Sequence, residues 1–440
     1  MSNIGYKISG GYPVVGKVRC MGAKNLATKA MVASLLSKEK TILNNIPAIG
    51  DVEITKYLLE SSGVVIKNIT KNSIEIDPGK LEEHEASLPD SRTNRIPILL
   101  LGVLLHKFGK AVVPTVGGDH IGKRNVDFHI NAIKDFGAKV EKKADRYIAY
   151  ADNRLKGCHV ELPYPSVGAT ETCLFLSVLA EGTSVIKNIA IEPEIVELIT
   201  MLRSMGAIIF LSSGREVMVQ GVEKLKGTNI HIIGDRIEAA SWASLACASD
   251  GSIEVSGIRP ELLGNFLSYF AQVGGGYEFV DSETILFYRK QALKPVTIET
   301  DVYPGFTTDW QQPFAMILTQ ADGISVIHET VHEKRFGYLN ILNQLGVTTE
   351  AVTACLGPTS CRYHGFDHYH SALIHGPAKL SSGIKPIKVP DLRAGLAYLI
   401  AAALAKGTTT LLDVEQIERG YGDLIEKLCD TNLKVKKFSV

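Results

Sequence analysis

Gly182-Thr183-Ser184-Val185-Ile186 decides the fold, because the chain keeps repeating it. A glycine (once a lysine) followed by a β-branched run returns as Lys40-Thr41-Ile42-Leu43, Gly109-Lys110-Ala111-Val112-Val113 and Gly251-Ser252-Ile253-Glu254-Val255. It returns again as Gly323-Ile324-Ser325-Val326-Ile327 and Gly407-Thr408-Thr409-Thr410-Leu411. Such a run after a turn residue reads as the start of a strand. The leading positions lie 69, 73, 69, 72 and 84 residues apart. Six near-even copies make a repeat, and a unit of about 70 residues is longer than most solenoid units.

A second pattern alternates with the first. A helix-like stretch ends at glycine and a strand follows, as in Leu58…Gly63-Val64-Val65, Ile133…Gly137-Ala138-Lys139-Val140, Leu202…Gly206-Ala207-Ile208-Ile209 and Leu342…Gly346-Val347. Weaker copies fall at Phe270…Gly275 and Leu428…Asn432-Leu433. Glycine or asparagine just past a helix supplies the left-handed residue that turns the chain back. Each repeat therefore reads helix, strand, helix, strand, strand. Six repeats in 440 residues predict an α/β protein of two domains with three repeats each. The excess in the last interval falls in residues 355–375, which read as an insertion in the sixth repeat.

Hydrophobic residues make up 45% of the chain, and Lys+Arg and Asp+Glu stand at 47 each, for a formal net charge of zero. That balance argues against a nucleic-acid partner held by backbone phosphates. The start, Met1-Ser2-Asn3-Ile4-Gly5, has no charged region leading into an apolar one, so no signal peptide is expected. The apolar runs at 96–105 and 394–405 are too short to span a bilayer. Seven scattered cysteines form no disulfide framework, and a cytoplasmic location is expected.

Charged residues at turns between apolar elements are better functional candidates than charges on helix faces. Gly22-Ala23-Lys24-Asn25 opens an apolar helix, where Lys24 could meet an anion at the helix N-terminus. Arg95 stands just before the apolar run at 96–105. Gly117-Gly118-Asp119-His120-Ile121-Gly122-Lys123-Arg124 has the composition of a mobile lid. Thr308-Asp309, Lys334-Arg335, Asp391-Leu392-Arg393 and Glu418-Arg419-Gly420-Tyr421 occupy matching places in other repeats. Many cations, few carboxylates, and no Walker loop, CxxC pair or GxGxxG suit a small multiply charged anion such as phosphoenolpyruvate, bound without a metal. The carboxylates are left to move protons.

With these residues in place, the sequence resembles the UDP-N-acetylglucosamine enolpyruvyl transferases (1-carboxyvinyltransferases) of peptidoglycan synthesis. The resemblance runs from Gly10-Gly11-Tyr12-Pro13 to Glu426-Lys427-Leu428 and rests on specific motifs. These are GAKN at 22–25, GGxxIGxR at 117–124 with Val126, Asp127 and His129, SVGAT at 166–170, EPEI at 192–195 and DRIE at 235–238. TD at 308–309, RF at 335–336, DLRA at 391–394 and RGY at 419–421 complete the set.

The resemblance implies two inside-out α/β barrel domains, each of three βαβαββ-type repeats around parallel helices. It places one domain at 24–233 and the other at 1–23 plus 234–440, with the insertion near 355–375. It implies that Lys24, Arg124 and Arg419 surround the phosphate of phosphoenolpyruvate, that Arg393 and Arg419 hold its carboxylate, and that Arg95 completes the anion pocket. Asp309 should take the proton of the sugar 3-hydroxyl, and Arg335 should belong to the closing network. Asn25, Arg124, Val126, Asp127, His129, Ser166, Val167, Gly168 and Asp309 should hold the nucleotide sugar. Neither cofactor nor metal is implied, and the partners are the two small substrates.

Many relatives carry cysteine where this chain has Asp119, and that thiol is what fosfomycin alkylates. An active, fosfomycin-resistant enzyme is therefore expected, with Asp119 delivering or relaying a proton if a closed site raises its pKa. Tyr164 replaces a frequent lysine and Asn125 a usual proline, which leaves another acceptor open, such as uridine monophosphate in nucleoside-antibiotic pathways. The sister transferase acting on shikimate 3-phosphate shares the fold, but the lid and SVGAT favour the nucleotide-sugar branch. A non-catalytic paralogue is disfavoured because Lys24, Arg95, Arg124, Asp309, Arg393 and Arg419 are all present. The insertion holds Cys355, Cys361, His364, His368 and His370, a mix able to ligate metal, but in a spacing that suits an uncoordinated surface loop better.

Overall fold

The computed structural model describes residues 4–88, 94–117, 126–383 and 385–439. Their contacts divide into two compact units, residues 22–117 with 126–233, and residues 4–21 with 234–439. The crossings fall at Gly22 and Gly234. A Cβ on Gly22 would lie 1.9 Å from the Asn45 carbonyl oxygen, and one on Gly234 would lie 1.9 Å from that of Gly257. Each glycine is thus pressed onto the backbone of its own unit.

Among the described residues six sheets carry the six repeats, three in each unit. In the Ser252–Ser256 sheet, the leading strand pairs antiparallel with Thr284–Arg289, which pairs in turn with Gly275–Asp281. Val15–Arg19 adds in parallel on the other side. Ile253 and Val255 face the core while their neighbours are half-exposed, as a strand of period two covering one face requires. The same order recurs in four other sheets; in the remaining one, Lys110–Pro114 gains only an isolated parallel bridge between Val112 and Glu85. The repeat headed by Gly407 takes its third strand from the start of the chain. Ile4–Gly10 lies between Gly407–Leu412 and Lys434–Ser439.

Helices fill the middle of each unit. All thirteen residues of Arg236–Ala248 are buried, and so are Leu392 to Ala403 of Leu392–Leu404. A helix apolar on every side belongs inside, which is why these units are built with sheets outermost. Arg236–Ala248, Thr308–Leu318 and Leu392–Leu404 pack on one another. In the other unit, Pro97–Phe108 packs on both Lys24–Ala33 and Val167–Ser177. Small residues permit the close approach: a Cβ on Gly102 would sit 3.2 Å from Leu176 Cδ2.

The helix–glycine–strand pattern has the expected basis. Gly63, Gly137, Gly206 and Gly346 take φ of 97, 94, 103 and 98°, a region that side chains disfavour. Two of the weaker copies need correction. Gly274, at φ 113°, supplies the left-handed residue in place of Gly275, which begins a strand. Asn432 is not left-handed; its side chain accepts from Val15 N–H and donates to the Pro13 carbonyl.

The insertion also moves. It lies between Thr348–Val352 and Ser371–Gly376, hence in the fifth repeat by order of leading strand, and it ends before Ser371. Residues 371–375 are the repeat's own third strand, with Ser371 opposite His328 and His375 opposite Ile324. Their alternating burial was hidden in the sequence by the polar stretch before them. Among the described residues no helix is long and apolar enough to cross a membrane.

Candidate active site

The candidate residues gather at the N-terminal ends of the central helices. These ends leave backbone N–H groups without intrahelical partners and favour negative charge. Asp235 caps Arg236–Ala248 by accepting from Ile237 and Glu238 N–H, and Asp391 caps Leu392–Leu404 by accepting from Arg393 and Ala394 N–H. Asp309 sits in the first turn of Thr308–Leu318, and Lys24 is the first residue of Lys24–Ala33. Arg95 just precedes Pro97–Phe108, and Ser166 caps Val167–Ser177 through a 3.4 Å bond from Ala169 N–H.

In the unit of residues 4–21 and 234–439, one carboxylate is shared by two guanidiniums. Arg335 Nη2 donates to Asp309 Oδ1 at 2.6 Å, and Arg393 Nη2 donates to Asp309 Oδ2 at 3.1 Å. Both arginine side chains are buried, whereas the Asp309 side chain keeps 25% of its surface open. Arg393 Nη1 donates to the Tyr421 hydroxyl at 2.8 Å. Burial opposes the Arg393 charge, but Tyr421, Asp309 and Asp235 more than offset it and hold the guanidinium protonated well above its usual range. Burial pushes Tyr421 up to about 12, so near neutral pH its phenol is uncharged. It serves Arg393 as a hydrogen-bond acceptor while the two aspartates supply the charge. Arg419, two residues before Tyr421, is half-buried at the end of Glu415–Glu418.

Glu329 braces this cluster from beneath. It accepts from Thr308 Oγ1 at 2.8 Å, Gln311 Nε2 at 2.5 Å, and the N–H groups of Val331 and His332. Burial raises its pKa, while Arg335 and these donors pull the other way. Arg236 lies over the rings of Tyr303 and Trp310, and Trp310 Nε1 donates to the Arg236 carbonyl at 3.3 Å. Two adjacent helix starts are thereby locked together.

The unit of residues 22–233 carries a second set. Lys24 Nζ lies 2.8 Å from Asp51 Oδ2, both poorly exposed. Asn25 follows it, half-buried. Arg95 is half-buried and near enough to His129 to contribute to its low pKa. Burial first, and then Arg95, lower that value to about 3, so His129 is neutral. Its Nδ1 lies 2.7 Å from Thr172 Oγ1. A Cβ on Gly168 would stand 2.8 Å from His129 Cε1, so the glycine lets the ring lie against Val167–Ser177. Val126 caps the Asp127–Asp135 helix, and Asp127 is exposed at its first position. Ser166, Val167, Gly168 and His129 therefore form one neighbourhood, while Asp119 and Arg124 lie outside the described residues, as does Asn125.

Sequence reasoning named the charged members and passed over several partners. Asp51, paired with Lys24, is one residue inside a helix and looks like an ordinary first-turn acid. Glu329 and His328 were missed, and the expectation that the chain holds no H-E-x-x-H needs correction, since His328-Glu329-Thr330-Val331-His332 spells it. That pattern binds zinc when both histidines share a helix face. Here His328 ends a strand, and Glu329 is spent on Thr308, Gln311 and the following turn. The insertion, too, differs from an open surface loop. His370 is fully buried and lies with Cys355, Cys361 and His328.

The family model for EPSP synthase (3-phosphoshikimate 1-carboxyvinyltransferase) matches residues 8–428. A UDP-N-acetylglucosamine 1-carboxyvinyltransferase of Protochlamydia amoebophila is 44% identical over 435 residues, covering 98% of this chain and 93% of that protein. One of Chlamydia abortus is 42% identical, covering 99% and 98%. In structure, the enolpyruvyl transferase NikO from Streptomyces tendae superposes with a TM-score of 0.85 at 20% identity, covering 100% of both chains. That last likeness concerns the fold alone.

Proposed function

The chain belongs to the EPSP synthase family of enolpyruvyl transferases, and from that membership we propose that it transfers the enolpyruvyl group of phosphoenolpyruvate to the 3-hydroxyl of UDP-N-acetylglucosamine. The sugar oxygen bonds to C2 of phosphoenolpyruvate while C3 gains a proton, giving a tetrahedral ketal. Loss of a proton from C3 and departure of phosphate from C2 then regenerate the double bond in the product.

The observation that carries this reading is Asp309, a partly exposed carboxylate held by two buried arginines at 2.6 and 3.1 Å. Its two oxygens are fixed, so it can accept a hydroxyl proton from one direction without reorganising. Arg335 aligns it. Lys24, Arg124 and Arg419 hold phosphate, and Arg393 with Arg419 holds the carboxylate of phosphoenolpyruvate, with Arg95 completing the pocket. Asp119 exchanges the C3 proton. Asn25, Arg124, Val126, Asp127, His129, Ser166, Val167 and Gly168 seat the nucleotide sugar, His129 as a neutral ring. Peptidoglycan precursor synthesis in the cytoplasm is the setting this substrate implies, and with a carboxylate at position 119 the enzyme works in the presence of fosfomycin.

Phosphate release from phosphoenolpyruvate tests the reading when it is measured with UDP-N-acetylglucosamine, uridine monophosphate and shikimate 3-phosphate in parallel. Release with the first acceptor, undiminished by fosfomycin, is expected. Release only with another acceptor replaces the substrate while keeping the chemistry; no release with any acceptor rejects the enzyme assignment.

A further inference from the structure

Four ligand atoms meet where residues 353–370 fold over the end of the Gly323–His328 strand. His328, Cys355, Cys361 and His370 each offer one such atom, and all lie within 4.8 Å of one another. Cys355 Sγ is 3.7 Å from Cys361 Sγ and 3.4 Å from His370 Nε2. A tetrahedral ion with bonds of about 2.0 Å to nitrogen and about 2.3 Å to sulfur keeps its ligands roughly 3.3–3.8 Å apart, and both of these separations fall in that range. Both cysteines are free thiols.

The other nitrogens of the two rings are already engaged. His328 Nδ1 lies 2.8 Å from Glu299 Oε2, and His370 Nδ1 lies 2.7 Å from the His368 carbonyl oxygen. Each bond puts the ring proton on Nδ1 and leaves the Nε2 lone pair to bind, an arrangement typical of ligating histidines. His328 Nε2 is buried with no hydrogen-bond partner. A buried polar atom without a partner calls for an explanation, and a cation supplies one.

The loop is shaped around this point. Glu299 also accepts from Thr359 Oγ1 at 2.7 Å. Gly357 lies over the Glu299–His328 pair, where a Cβ would come within 2.2 Å of His328 Nδ1. Tyr363, a buried ring, donates from its hydroxyl to the Val331 carbonyl at 2.8 Å. His364 Nδ1 is 3.7 Å from Cys355 Sγ but on an exposed residue, so it stands outside the four. His368 contributes its carbonyl, while its ring stacks on Phe366.

We propose that this loop binds one zinc ion through Cys355, Cys361, His328 and His370. Two thiolates and two neutral imidazoles are a borderline-soft set that selects zinc, and four protein ligands make the site structural rather than catalytic. The ion takes the place of a hydrophobic core that an eighteen-residue segment with few aliphatic side chains does not build.

The test uses the full-length, tag-free chain purified without added metal. Elemental analysis is expected to find one zinc per chain that survives desalting. X-ray absorption should show two sulfur neighbours at about 2.3 Å and two nitrogen neighbours at about 2.0 Å. Cys361→Ser and His328→Ala should lose the ion, and His364→Ala should keep it. Glu299→Gln should retain zinc with an affinity about 10–100-fold weaker. The proposal is overturned if the wild-type chain holds no zinc even after incubation with zinc chloride, or if its zinc has no sulfur neighbour. Zinc retained in His328→Ala and lost in His364→Ala overturns the ligand assignment. The wild-type measurements decide the matter even where a variant fails to fold.

Discussion

Two polar clusters lie within residues 234–439, and they solve the problem of burying polar atoms in opposite ways. Around Asp309 the protein supplies its own counter-charges: one carboxylate is shared by two guanidiniums, Asp235 and Glu329 add negative charge near Arg393 and Arg335, and Tyr421 takes a further donor. Around His328 the ligand atoms are brought together, and among the described residues the buried His328 Nε2 has no hydrogen-bond partner. A self-balanced cluster stands without ligand and can exchange partners when an anion arrives. An unbalanced one gains stability when a cation arrives. The first arrangement suits turnover and the second suits architecture, although their anchors are consecutive residues: Glu329 follows His328, and its N–H donates to the His370 carbonyl at 2.7 Å.

The largest test of the contrast removes the charge at the centre of the first cluster. Asp309→Asn keeps the shape but takes away the proton acceptor, and kcat for phosphate release should fall roughly 10³-fold, within the range general bases contribute. Zinc content should not change. A kcat within a few-fold of wild type would reduce Asp309 to a structural counter-ion.

The mirror experiment comes next. Cys361→Ser, or prolonged chelation, should cost about 3–4 kcal/mol of stability at zinc concentrations 10²–10³ above Kd. For a unit of this size that lowers Tm by roughly 6–15 °C in calorimetry. Steady-state kcat at 25 °C should stay within about threefold of wild type, because Glu329 keeps its four donors in Thr308, Gln311 and the following turn. A loss of kcat as large as that of Asp309→Asn would mean that the two clusters are one functional unit.

Arg393→Lys probes geometry within the first cluster. A guanidinium reaches Asp309 and Tyr421 from two different nitrogens, and an ammonium is a single point that cannot span both. The loss in kcat/KM should be roughly 2–4 kcal/mol, as for breaking a buried, hydrogen-bonded charge contact. Unchanged kcat/KM would remove Arg393 from the anion site.

How much of this was legible in the sequence follows from what each residue depends on. The six repeats were readable because strand starts and helix-ending glycines are local signals, and Gly63, Gly137, Gly206 and Gly346 take the backbone conformation their positions imply. Asp309, Arg335 and Arg393 stood out as charges at turns and the resemblance implied their roles, but their mutual contact was not legible, since Asp309 and Arg393, 84 residues apart, meet only through the packing of helix starts. The sixth repeat's third strand was unreadable for the same reason: Ile4–Gly10 is more than 390 residues from its partner strands. The metal cluster was half visible. Cys355, Cys361 and His370 stood out, but their spacing fits no local pattern because the fourth member, His328, comes from a strand that pairs with Ser371–Gly376 across the insertion.

A carboxylate in the other unit shows what happens with a partial answer. Glu171 is fully buried with Lys29 at 3.9 Å, and its pKa is raised to about 7, by burial first, with Glu192 and Glu194 adding to the rise. The folded chain therefore holds this proton more tightly than the unfolded chain, whose carboxyl titrates near 4.5. The stability it contributes is complete below about 4.5 and is lost as pH rises through about 7, a change worth about 3 kcal/mol. Glu171→Gln should flatten the fall in Tm between pH 5 and 8, and an unaltered slope would assign that fall to other groups.

The smallest effect gives the finest reading. Tyr421→Phe removes one hydroxyl and leaves a buried Arg393 N–H without its acceptor, at a cost of about 1–2 kcal/mol in kcat/KM. Combined with Arg393→Lys the two losses should add to less than their sum, because both variants break the same contact. Combined with Cys361→Ser they should simply add, since the phenol and the thiol share no partner. Additivity in the first pair, or coupling of more than about 0.5 kcal/mol in the second, would redraw the border between the self-balanced cluster and the one that waits for a metal.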